Sequence, residues 1–157
     1  MTEPNGSDAA GRFEGRRHRL PLRVYWEDTD AGGIVYYANY LRYAERGRTE
    51  MLRHAGVGQA ALMAHDGVMF TVRNCDIAYL DPARLDDRIV VESVVRSVGG
   101  ASVGMDQTIA RDGLDLARCR LRLACVGRTG RPARMPPDLR RLFMSLLESA
   151  GDQTHGE

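Results

Sequence analysis

The sequence predicts an α+β domain: a curved antiparallel sheet wrapped around one long helix. Three observations point there. One long amphipathic segment, residues 39–55, follows the first strand-like run. After residue 68 the apolar residues recur mostly at period two rather than at helical spacing. Gly99-Gly100 and Asp112-Gly113 then divide that stretch into hairpins. An early helix followed by antiparallel strands packs most economically with the sheet folded over the helix.

Residues 1–17 are rich in Gly, Asp, Glu and Arg and poor in large apolar groups, which predicts a disordered leader. From His18 to Trp26, Leu20, Leu22, Val24 and Trp26 fall at period two, a half-buried strand whose early part Pro21 places at an edge. Asn39 to Ala55 is the long helix, with Leu41, Ala44, Met51, Leu52 and Ala55 on one face and Gly47 and Arg48 among them. Asn39 reads as its N-cap and Gly56 as the residue that closes it. Arg46 and Glu50 form an outer i,i+4 pair. Gly47 costs a helix about 1 kcal/mol relative to Ala, so it marks a close approach to the sheet.

Gln59 to Asp66 reads as a short second helix closed by Gly67. Val68 to Leu80 is a long strand whose alternation Asn74 and Asp76 break, predicting a bend or bulge. Arg88 to Val98 is a Val-rich strand. Ser102 to Arg111 places Val103, Met105, Gln107 and Ile109 on one face. Leu116 to Val126 turns Cys119, Leu121, Leu123 and Cys125 one way and Arg118, Arg120 and Arg122 the other. These last three strands form an antiparallel meander. Pro136-Pro137 stops the sheet, and Asp138 to Ser149 forms a final helix. Residues 18–149 are thus one domain, with 150–157 a flexible tail.

The 157 residues suffice to bury a core without staples. A net charge of +1 gives no argument for nucleic acid or membrane as partner. Cys75, Cys119 and Cys125 are odd in number and lack Cys-x-x-Cys spacing, which suits a reducing compartment. No apolar run approaches the roughly 20 residues of a membrane span. Arg16-Arg17 lacks the apolar segment of an export signal, so a cytoplasmic location is expected. His18, His54, His65 and His155 are scattered, so neither a metal site nor a cofactor is expected.

The chemistry concentrates in Glu27-Asp28-Thr29-Asp30-Ala31-Gly32-Gly33-Ile34-Val35-Tyr36-Tyr37-Ala38-Asn39-Tyr40. Carboxylates at the end of a strand meet two glycines and a helix start. Reaction at a carbonyl needs a base or nucleophile and donors for the oxygen that becomes charged. Asp30 is the acid closest to the glycines. Taken alone, an Asp here is better explained as a turn residue. Glu27 and Asp28 read as readily as loop carboxylates. Gly32 and Gly33 permit positive φ and close approach of a ligand, or simply a tight turn. Tyr36, Tyr37 and Tyr40 line either a site or a core.

The segment Tyr25-Trp26-Glu27-Asp28-Thr29-Asp30-Ala31-Gly32-Gly33-Ile34-Val35-Tyr36, with Asn39-Tyr40 and Glu45-Arg46-Gly47-Arg48-Thr49-Glu50, resembles the hotdog-fold acyl-CoA thioesterases. The branch is the Tol–Pal-associated type within the 4-hydroxybenzoyl-CoA thioesterase family. Tyr79-Leu80-Asp81-Pro82 through Asp87, and Gly130-Arg131-Pro132 followed by Pro136, add to the likeness. Tyr37 stands where Tol–Pal-type members commonly carry His; the 4-hydroxybenzoyl branch has Tyr.

The resemblance implies hydrolysis of acyl-CoA thioesters. Asp30 acts as nucleophile or as general base, and the backbone N–H near Tyr37 as oxyanion donor. Gly32, Gly33, Val35, Tyr36 and Tyr40 surround the substrate. It also implies a dimer with active sites between subunits, assembly to a homotetramer, and a link to the Tol–Pal envelope system. With the whole motif in view, catalysis becomes the better account of Asp30. All 22 basic residues are Arg; coding bias explains this, although the guanidinium fork suits CoA phosphates. The Arg118, Arg120 and Arg122 stripe reads better as a solvated face or a subunit contact than as a CoA site. Two rival functions remain: a dehydratase of the same fold, and a non-catalytic acyl-CoA-binding or scaffold protein.

Overall fold

A computed structural model of the chain describes residues 9–148. Its strands are β1 (Arg12–Glu14), β2 (Arg17–Arg23), β3 (Val68–Tyr79), β4 (Arg88–Val98), β5 (Ser102–Arg111) and β6 (Leu114–Gly127). They form one antiparallel sheet in the order β1-β2-β4-β5-β6-β3. The helices are α1 (Asn39–His54), α2 (Gln59–Asp66) and α3 (Pro137–Leu146). This is the α+β arrangement expected, a sheet wrapped around one long helix.

The β4-β5-β6 meander has the expected turns. In β5, Val103, Met105, Gln107 and Ile109 are buried, and in β6 so are Cys119, Leu121, Leu123 and Cys125, while Arg118, Arg120 and Arg122 are exposed. α2 has the expected bounds, and Gly67 closes it at φ 65°. β3 carries its irregularity between Val72 and Asn74.

The long helix meets the sheet through Tyr40, Tyr43, Ala44, Gly47, Met51 and Leu52. Its phase differs from the sequence reading. Leu41 is exposed, and Tyr40 and Tyr43 take the core positions instead. Asn39 is not the N-cap: Ala38 holds that position. The Asn39 Nδ2 instead donates to the Asp28 carbonyl at 2.8 Å, tying the helix start to the turn before it. Glu50 pairs with Arg53 at 2.8 Å rather than with Arg46. Gly47 fulfils its expectation. A Cβ there would stand 2.6 Å from Val91 Cγ1 on β4.

Two further readings are corrected. Residues 9–17 are not a disordered leader, because β1 and the start of β2 form a hairpin there. Arg17 anchors it through Glu92 at 2.8 Å and Glu148 at 2.7 Å. Residues 1–8 and the predicted tail, 150–157, lie outside the described residues. β2 ends at Arg23, and Trp26–Asp28 forms a single 3₁₀ turn. Its early part is paired on both sides, to β1 and to β4; Pro21 comes after the stretch that β1 covers. The later part is therefore the edge.

β3 crosses to the far side of the sheet and pairs only with β6 among the described strands. Thr71, Val72, Arg73, Asn74, Cys75 and Asp76 are all exposed along it. A long edge strand with free N–H and C=O groups invites pairing with another chain.

Candidate active site

The loop between the 3₁₀ turn and α1 is folded by its own backbone. Thr29 bridges Val35, the Asp30 amide donates to the Ile34 carbonyl at 3.0 Å, and the Gly33 amide returns to the Asp30 carbonyl at 3.0 Å. Gly33 has φ 77°, a conformation that L side chains rarely adopt. The loop therefore doubles back and brings Asp30 beside the residues that open α1. The Tyr36 amide donates to the Asp28 carbonyl at 3.0 Å and closes the other side.

Asp30 is exposed. Its Oδ1 accepts the Gly32 amide hydrogen at 2.8 Å. Its Oδ2 has no hydrogen-bond partner among the described residues. A Cβ on Gly32 would stand 3.1 Å from Oδ1, so the second glycine-dependent feature is this contact. The Asp30 charge also contributes, after the neighbouring Tyr37 hydroxyl, to raising the Tyr36 phenol above its ordinary pKa.

The Tyr37 amide donates to no protein acceptor among the described residues, nor does that of Ala38. Such orphan donors are the expected state of a helix start, where they meet an anion or water. The Tyr37 carbonyl is held differently. It accepts the Tyr79 hydroxyl hydrogen at 2.9 Å, which ties the end of β3 to the helix start. Tyr79 also packs edge-on against Tyr37 and Tyr40, with ring centroids 6.2 and 5.5 Å away.

Val35 and Tyr40 point into the core of the single chain. Val35 is 3% exposed in the core, and its amide donates to the Ala83 carbonyl at 2.9 Å. Tyr40 is equally buried, and its hydroxyl accepts the Ala83 amide hydrogen at 2.9 Å. Both hold the loop at 81–84 against α1. Tyr36 and Tyr37 stay outside, 44% and 61% exposed. Glu27 is exposed on the 3₁₀ turn, whereas Asp28 spends its Oδ2 on the Tyr25 amide at 2.8 Å. The sequence reading missed Tyr79 as a site residue. No local signal could have found it, because its nearness to the helix start depends on where β3 lies in the sheet.

The arginine stripe lies on the opposite face of the sheet. Arg118 and Arg120 border a groove of about 1180 Å³ there, together with Arg17, Glu92, Arg96 and Asp106. Arg118 meets Asp115 at 2.7 Å, and Arg120 approaches Asp106 at 3.6 Å. Asp30 borders neither this groove nor the smaller one near Arg122. A single copy of the chain leaves its carboxylate open to solvent on one side. No helix among the described residues is long and apolar enough to cross a membrane.

Residues 24–143 match the family model described as the thioesterase-like superfamily. Acyl-CoA thioesterase YbgC of Haemophilus influenzae is 40% identical over 129 residues, covering 81% of this chain and 94% of that protein. Acyl-CoA thioester hydrolase YbgC of Escherichia coli O6:H1 is 50% identical over 91 residues, covering 58% of this chain and 67% of that protein. The crystal structure of a probable thioesterase from Bartonella henselae superposes with a TM-score of 0.74 at 33% identity, over 76% of this chain and 99% of that one.

Proposed function

We propose, from the premise that the chain belongs to the thioesterase-like superfamily and has its hotdog fold, that it hydrolyses acyl-CoA thioesters at Asp30. The observation that supports this is one tight loop that leaves the Oδ2 of Asp30 free at one end and the Tyr37 amide unpaired at the other. The names of the relatives, acyl-CoA thioesterase and thioester hydrolase, supply the substrate class.

The chemistry follows from those two groups. The carboxylate either attacks the thioester carbon or takes a proton from a water that does so. Direct attack expels CoA thiolate and leaves a mixed anhydride, which water then opens to the free acid. In both routes electrons move onto the carbonyl oxygen. The Tyr37 N–H receives that charge, and one well-aimed donor of this kind is worth roughly 3–4 kcal/mol. The helix dipole adds about 0.3–1 kcal/mol at an exposed site, so the individual donor matters more. Replacing a His side chain by Tyr at position 37 leaves this backbone donor in place. Gly32 holds Oδ1, which orients the carboxylate, and Gly33 supplies the turn.

The solvent-open side of Asp30 and the bare β3 edge support the same assembly. A second copy pairing at β3 covers the edge and walls the site, giving a dimer. Pairing of dimers into a tetramer, a cytoplasmic location and an association with the Tol–Pal envelope system complete the proposal on the strength of the resemblance.

A thiol-release assay over short, long and aromatic acyl-CoAs tests the function. Catalytic release of CoA from at least one of them is expected. Tight acyl-CoA binding without release would instead make the chain a binding protein, and formation of an enoyl product from a 3-hydroxyacyl-CoA would make it a dehydratase.

A further inference from the structure

On the inner face of the sheet, α1 packs chiefly on β2, β4 and β5. β3 runs past it at the edge. Its inward-facing Cys75 and Tyr79 stay exposed, and Ile77 is half-buried near Ala44. An open trough therefore runs between α1 and β3. One end holds Tyr37 and Tyr79, and the other holds Arg48 and Cys75. From Tyr40 to Arg48 is roughly 12 Å of helix. From Tyr79 to Cys75 is roughly 13 Å of strand. The two walls thus run level.

Arg48 is short of a counter-charge. Its Nη1 donates to the Gln107 Oε1 at 3.0 Å. Gln107 is itself fixed, because its Nε2 donates to the Ala44 carbonyl and to the Ser93 hydroxyl, both at 2.8 Å. No carboxylate pairs with Arg48 among the described residues. Other part-buried arginines are treated otherwise: Arg17, Arg96 and Arg111 meet carboxylates at 2.8, 3.0 and 2.5 Å. Burial pulls the Arg48 pKa below its ordinary value, with Glu45 opposing, yet a guanidinium stays charged. A desolvated cation whose protein partner is a neutral amide favours an anion from outside.

We propose that Arg48 reads the far end of the acyl group, and that the substrates are acyl-CoA thioesters whose acyl chain ends in a second carboxylate. This rests on the reading of Asp30 and the Tyr37 amide as the thioester site. Tyr37 to Arg48 is roughly 16 Å of helical rise, and because helical side chains lean toward the N-terminus the Arg48 guanidinium stands roughly 12 Å from a carbonyl at the Tyr37 amide. A chain of about eight bonds, with a hydrogen bond of about 2.9 Å at its end, spans that distance. The half-buried Ile77, seated on the buried Ala44 and Cys119, is the apolar floor between the two ends and suits methylene groups. A carboxylate at the end takes the guanidinium fork in a bidentate pair. An alkyl end of the same length strips water from the cation and returns no hydrogen bond, which is how a polar site rejects an isostere. A second copy at the β3 edge would roof the trough over the substrate.

The test uses the full chain and a matched pair, suberoyl-CoA with a free terminal carboxylate and octanoyl-CoA, in wild type, Arg48→Met and Arg48→Lys. The wild type should favour suberoyl-CoA in kcat/KM by about 10- to 100-fold. Arg48→Met should abolish or reverse that ratio, and Arg48→Lys should keep part of it. Each figure is a ratio within one preparation, so a partial loss of folded protein does not alter it. Equal turnover of the two by the wild type overturns the proposal, as does a preference that survives in Arg48→Met. In both cases hydrolysis itself still stands. Absence of thiol release from these and from shorter acyl-CoAs contradicts the thioester reading, and this one with it.

Discussion

The Tyr79 hydroxyl donates to the Tyr37 carbonyl at 2.9 Å, so the end of the edge strand holds the peptide that begins the long helix. The Tyr37 residue therefore has its carbonyl fixed and its amide free. A donor for a developing oxyanion gains most when it is already in place before the charge appears.

Tyr79→Phe keeps the ring packing and removes that hydrogen bond. A lost neutral hydrogen bond at an exposed site costs about 1 kcal/mol in stability. The larger effect is expected in turnover, with kcat for the best acyl-CoA falling about tenfold and KM little changed. Steady-state kinetics beside a urea melt check both. Unchanged kcat would mean that Tyr79 is packing alone.

Gly47→Ala tests the approach of α1 to the sheet. The new methyl would lie 2.6 Å from Val91 Cγ1 and 3.1 Å from the Gln107 Nε2. Helix propensity alone favours Ala by about 1 kcal/mol, but overpacking costs about 1–3 kcal/mol. Net destabilisation is expected by chemical denaturation. Adding Val91→Ala makes room and should recover part of it. A more stable single variant would contradict the packing described.

Those elements were legible in the sequence to different depths. Hairpins marked by Gly99-Gly100 and the alternation of β5 are local signals, and they fall where expected. Gly47 was legible because its cost needs a reason. The position of β3 was not, because alternation says nothing about which strand a segment pairs with. β1 was hidden by its composition: Arg12 and Glu14 flank one Phe, and the hairpin gains its anchor from Glu92 and Glu148, far along the chain. The helix phase slipped because Tyr40 counts as amphipathic. Its ring belongs to the core, and its hydroxyl takes the Ala83 amide. In the site, Asp30 and its glycines were legible as a motif. The burial of Val35 and Tyr40 and their bonds to Ala83 were not legible, because motif membership does not tell a residue's depth in the fold.

Acid should weaken the fold through His18. It is fully buried, and its Nε2 stands 2.9 Å from the His54 Nδ1. Burial first, and then the His54 charge, push its pKa down from 6.5 to about 4, with Glu50 opposing. The folded state thus resists a proton that the unfolded chain accepts. Stability is complete above pH 6.5 and is lost as pH falls toward 4, by about 3 kcal/mol in all. Urea midpoints from pH 7.5 to 4.5 should show this slope, and His18→Gln should flatten it. An equal slope in the variant would remove His18 as its source.

The bare edge makes a prediction about assembly. Val72 is 45% exposed on β3. Val72→Asp would set like charges near one another across a two-fold strand pairing, which is unfavourable. Light scattering should show the wild type as a dimer or larger and the variant shifted toward monomer, with activity falling in step. A wild type that is monomeric at micromolar concentration would exclude pairing at β3.

The most direct measurement is the turnover of Asp30→Asn with the best acyl-CoA, beside circular dichroism and light scattering. The substitution keeps size and the bond from the Gly32 amide while removing the negative oxygen. Normal folding and assembly are predicted, with kcat lower by roughly a thousandfold or more. Turnover within a few-fold of wild type would place the chemistry elsewhere.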